Sequence, residues 1–130
     1  MEHIIDPATA GFEDQWHFSH VVRSRGLLFL SGVTGTGTDG RVAEDPTEQF
    51  EQLFTHLRQY LNVAGADLDD LVEMTTYHID LQIHLQAFTT VKDAYLPSPY
   101  PAWSAIGISQ LITPGALVEL RAIAEDPATA

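Results

Sequence analysis

The chain has 130 residues, 45% of them hydrophobic, with 18 acidic against six basic side chains, a net charge of −12 and no cysteine. That length suits one domain with a real core, and the missing cysteines exclude disulfides, thiolate metal ligation and a cysteine nucleophile. No run of about 18 apolar residues is present, which excludes a membrane-spanning helix, and the six cations, Arg23, Arg25, Arg41, Arg58, Lys92 and Arg121, are too scattered to neutralise a phosphate backbone.

Met1-Glu2-His3-Ile4-Ile5-Asp6 lacks the basic and apolar regions of a secretory signal, so the chain reads as cytoplasmic, one domain over 1–130, with mobile ends and no membrane or nucleic-acid partner. Val21–Ser24 and Leu27–Gly32 read as a hairpin turning at Arg25-Gly26. Thr34–Gly40, with three glycines, reads as a flexible loop. A helix then starts at Asp45, with Pro46 at its first position and Glu48 completing an Asp-x-x-Glu capping box. Phe50, Leu53, Phe54, Leu57, Leu61 and Ala64 recur on one face of it, and Gly65 stops it. Leu71 to Asp80 is a strand. A second helix covers about 83–96, burying Leu85, Phe88, Val91 and Tyr95 ahead of Pro97. Two strands follow at about 103–109 and 117–125, joined by a turn at Thr113-Pro114-Gly115, and Asp126–Ala130 reads as a tail.

Strand, strand, helix, strand, helix, strand, strand predicts an α+β layer: one mixed sheet with two helices on one face. The other face needs cover that two helices do not supply, and an oligomer packing bare faces together supplies it.

The glycine loop has neither the Lys-Ser/Thr of a phosphate loop nor the spacing of a dinucleotide fold. Of the six histidines, only His17 and His20 are close, and in an extended segment residues three apart point to opposite faces, so the spacing predicts no metal site. Both stay open as residues at a pocket mouth. The informative oddity is Glu119, a carboxylate inside the apolar run Ala116–Ala124, because an ionised carboxylate is costly to bury unless it is paired or hydrogen-bonded. Leu117, Glu119, Arg121 and Ile123 share one strand face, and Trp103, Ala105, Gly107 and Ser109 share one face of the strand expected beside it. Either Glu119 pairs with Arg121 at a wet seam, where ion pairs contribute little, or the small residues opposite it leave room for a ligand.

Four blocks carry a resemblance: Phe18–Gly32 with its Ser31-Gly32 end, Ala64–Val72, Pro101-Ala102-Trp103-Ser104, and Gly115–Ala124. In order and spacing they resemble the RidA/YjgF family over about 18–124. The resemblance implies a chorismate-mutase-like α+β subunit and a homotrimer with three small-molecule pockets between subunits. In well-known members the pocket hydrolyses reactive enamines and imines. There an Arg of a Pro-Ala-Arg-Ser motif clamps the substrate carboxylate and a Glu of the last strand handles a water or proton. That Glu is Glu119 here, and Ser31 and Gly32 also match pocket positions. The motif Arg is Trp103, a common Tyr is Phe18, a common Asn is Thr89, and a common Cys is Ala105. An indole has one donor and no charge, so it does not replace a bidentate clamp. The expectation is therefore an enzyme without cofactor or metal. Glu119 is its catalytic residue, and Phe18, Ser31, Gly32, Thr89, Trp103 and Ala105 hold a more apolar or aromatic ligand than a classical 2-iminoacid. The alternative is a metabolite-binding or regulatory trimer without turnover; the ribonuclease activity of some relatives conflicts with the charge.

Overall fold

The structure is a computed structural model, which describes residues 1–9, 11 and 15–129. Its six strands are β1 (Glu2–Ile4), β2 (Val21–Ser24), β3 (Leu27–Val33), β4 (Leu71–His78), β5 (Ala102–Gly107) and β6 (Val118–Glu125). The long helices are α1 (Pro46–Val63) and α2 (Leu81–Tyr95). All six strands form one sheet in the order β1-β2-β3-β6-β4-β5, mixed because β4 and β5 run parallel.

The crossover α2 explains the parallel pair: a helix returning the chain to the same sheet places the next strand beside and parallel to the first. β6 is antiparallel to both β3 and β4 and fills the gap between them. This corrects the expectation that the strands bearing Trp103 and Glu119 are neighbours: β4 separates them.

The core lies between one sheet face and the helices. Leu28, Leu30 and Val33 of β3 and Val118, Leu120, Ala122 and Ala124 of β6 meet Phe50, Leu53, Phe54, Leu57 and Leu61 of α1 and Phe88 and Val91 of α2, all buried. The opposite face carries Phe29, Thr75, Tyr77, Glu119 and Ile123, half-buried, and Arg121, exposed.

Several boundaries differ from the expectations. The Asp45 side chain makes no cap hydrogen bond. Instead the buried Gln49 amide donates to the carbonyls of Ala43 and Gly115, at 2.7 and 3.0 Å, and accepts from the Leu117 amide at 3.1 Å. The glycine loop is held too: Thr36 bridges Val42, and Gly35 is buried with no room for a Cβ, which would stand 2.2 Å from the Gln49 carbonyl oxygen. On α2 the half-buried Leu85 yields its place to Lys92, which is buried, while Tyr95 stacks on Phe54 at 5.3 Å.

The ends are anchored. β1 pairs with β2, and Asp126, 1% exposed, meets Arg23 at 2.6 Å. That pair and Arg23's contact with Glu2 at 2.7 Å tie both ends to β2. Asp126 therefore begins no loose tail; of that stretch, Ala130 lies outside the described residues.

Candidate functional site

The predicted site residues fall into two groups. The first surrounds Glu119. Between Leu30 and Val33 the register of β3 against β6 shifts, and Gly32 lies in that irregularity. A Cβ on Gly32 would stand 2.7 Å from the Glu119 carboxyl carbon and 2.9 Å from Oε2, so only glycine leaves the carboxyl its seat. Burial pushes the Glu119 carboxyl above its ordinary pKa. Among the described residues neither Arg121 nor any other cation forms an ion pair with it, so the seam pair is not made within the chain.

Ser31 and Phe18 belong to the same group through the backbone. The Ser31 amide donates to the His20 carbonyl at 2.9 Å, and its hydroxyl donates to the Ser19 carbonyl at 2.6 Å. The Phe18 ring stands edge-on to the His20 ring at 5.3 Å. His20 is fully buried: Nδ1 accepts the Asp6 amide at 2.7 Å, and Nε2 lies 3.2 Å from the Thr9 hydroxyl. Burial lowers its pKa, so the neutral ring that accepts from Asp6 is the favoured form. His20 is thus a buried support beneath Phe18 and Ser31, not a residue at a pocket mouth.

The second group surrounds Trp103. On β5, Trp103 pairs with Met74, and Ala105 with Thr76. Partners across a ladder point to the same side, and Met74 and Thr76 are buried on the helix side. Trp103 and Ala105 therefore face the helices, whereas Glu119 pairs with Tyr77 on the other face. One chain does not bring Trp103 and Glu119 together. Thr89, on α2, donates its hydroxyl to the Gln86 carbonyl of its own helix at 3.1 Å. Like Ser31, it keeps only acceptor capacity for a ligand.

Sequence reasoning missed the partners of Trp103. Its indole donates to the Thr76 hydroxyl at 2.9 Å, and that hydroxyl lies 2.7 Å from His78 Nε2. A hydroxyl that accepts from an indole has its own proton free for the imidazole, so the three groups form a chain. Burial alone pulls the His78 pKa down to about 4, leaving the ring neutral. Lys92 Nζ lies over the indole, 4.7 Å from the ring centre. Beside it opens a cleft of about 390 Å³ lined by Met74, Lys92, Asp93, Leu96, Tyr100, Pro101 and Trp103. The one signal in the sequence was the spacing Thr76-x-His78, which puts two polar side chains on one strand face.

Known proteins agree with this architecture. The RutC family protein YjgH of Escherichia coli K12 is 34% identical over 111 residues, covering 85% of this chain and 83% of that protein. A solved structure of protein YjgH superposes with a TM-score of 0.90 at 30% identity, covering 97% of this chain and 96% of that one. A 2-iminobutanoate/2-iminopropanoate deaminase of Dermatophagoides farinae is 26% identical, covering 82% and 83% of the two chains. Residues 10–126 match the family described as endoribonuclease L-PSP. Fold and sequence thus lead to one conclusion: the chain belongs to the endoribonuclease L-PSP family, also called RidA/YjgF.

Proposed function

We propose that the protein is a small-molecule enzyme in which Glu119 exchanges protons with an enamine, an imine or a related activated metabolite, by hydrolysis or tautomerisation. The observation that carries this reading is the Glu119 carboxyl itself, without a cation partner among the described residues, seated against Gly32 and raised in pKa by burial. A carboxyl so raised holds and releases a proton nearer neutral pH than an ordinary one. In hydrolysis of an imine, Glu119 takes a proton from the attacking water and returns it to the departing nitrogen, so that water and imine become carbonyl and ammonia.

The deaminase name of the mite relative supports this class of reaction. The indole at 103 speaks against its substrates, because no guanidinium stands there to clamp a carboxylate. Phe18 and Trp103 favour an aromatic or otherwise apolar ligand. The two residue groups on opposite faces meet only if one subunit supplies Phe18, Ser31, Gly32 and Glu119 and its neighbour supplies Thr89, Trp103 and Ala105. The assembly proposed is accordingly a homotrimer with shared pockets.

A second reading, a metabolite-binding or regulatory trimer, is favoured by the cleft at Trp103 lying apart from Glu119 within the chain. Glu119→Gln separates the two: the amide keeps shape and hydrogen bonding but exchanges no proton. Expected are an unchanged assembly and ligand affinity with turnover lost. Full turnover by the variant refutes the mechanism.

A further inference from the structure

The cleft beside Trp103 holds a cation in an acidic molecule. Lys92 sits in the last turn of α2 with its side chain only 11% exposed, over the Trp103 ring at 4.7 Å and 6.0 Å from the ring centre of Tyr100. An ammonium has three N–H donors. One goes to Asp93 Oδ1 at 2.9 Å; among the described residues no other side chain or carbonyl accepts from it. A nearly buried charge with unclaimed donors is costly unless an acceptor reaches it. The indole below it is fixed by the Thr76 hydroxyl, so the ammonium rests on a wall that does not turn away. Met74, Leu96 and Pro101 give the cleft an apolar wall beside Asp93 and Tyr100, and about 390 Å³ accommodates a single small ring with a short side arm.

We propose that Lys92 makes this cleft selective for small anions carrying an apolar ring: its ammonium takes the anionic oxygens while the ring lies against Trp103, Met74 and Leu96. The inference rests on Trp103 being a wall of the ligand pocket, and it adds what the apolar replacements alone do not indicate, a charge preference. Asp93 then acts as a competitor. Its exposed carboxylate occupies the ammonium until a ligand displaces or shares it.

The test uses the full chain carrying Trp16→Phe, which leaves Trp103 as the sole tryptophan; Trp16 is 54% exposed and does not line the cleft. Trp103 fluorescence is titrated with phenylacetate and with phenylacetamide, a charged and a neutral probe of the same shape. Phenylacetate is expected to bind at least about tenfold more tightly, as a charge-assisted hydrogen bond implies. Lys92→Met should bring phenylacetate down to the amide's affinity and leave the amide unchanged. Asp93→Asn should tighten phenylacetate alone. Equal affinities for the two probes, an unaffected Lys92→Met, or weaker phenylacetate binding by Asp93→Asn overturns the assignment. Failure of both probes to bind overturns it together with the pocket reading. Turnover by Glu119→Gln is read in a separate assay, so a failure of the Glu119 mechanism registers apart from these titrations.

Discussion

His78 shows how much a single buried side chain constrains this molecule. Its ring is 1% exposed, edge-on to Phe88 at 4.8 Å, and its pKa is pulled down to about 4. In the unfolded chain the same ring titrates near 6.5. Between those values the unfolded state takes up a proton that the fold refuses, so stability is lost as pH falls from about 6.5 towards 4. The shift corresponds to about 3 kcal/mol at most. Urea unfolding at pH 7 and pH 4.5 should show that loss, and His78→Gln, which keeps a polar partner for Thr76 but does not titrate, should flatten it. An equally steep profile in the variant would assign the acid loss elsewhere. His20, lowered by the same cause, adds in the same direction.

At the scale of elements, two glycines make opposite demands. A Cβ at Gly32 meets the flexible end of Glu119; one at Gly35 meets the Gln49 backbone at 2.2 Å. Gly32→Ala should therefore cost little stability, under about 1 kcal/mol, yet displace the Glu119 carboxyl and shift its titration. Gly35→Ala should cost about 2 kcal/mol or more, because helix α1 must move. Thermal unfolding of the two variants, with the Glu119 carboxyl followed by NMR, checks both. Much of this level was legible in the sequence: the β2–β3 hairpin, α1 and α2 follow from turn residues and periodicity, which are local. β1 was not, because Glu2-His3-Ile4 has no pattern of its own and becomes a strand only against β2. Glu119 was legible as a charge in an apolar run. Thr76 and His78 became partners of Trp103 only through the parallel register of β4 and β5, and Lys92 only through α2 lying against that pair, long-range contacts that periodicity does not encode.

At the scale of the molecule, the sheet face bearing Phe29, Tyr77, Glu119 and Ile123 is only half-buried, and the edge strand β5 exposes Ile106. Light scattering should give about three times the subunit mass of 14.3 kDa; a stable monomer at micromolar concentration would remove the shared pockets. Inside the subunit, the place of β6 has a consequence for how the chain reaches this state. The strand nearest the C-terminus is central in the sheet, with β3 on one side and β4 on the other. Without it, the remaining strands fall into two separate sets, β1-β2-β3 and β4-β5, each with an unsatisfied backbone edge. Strand β6 thus acts as a keystone: a chain cut just after Gly115 stays open at its centre, prone to capture any free strand that fits the gap.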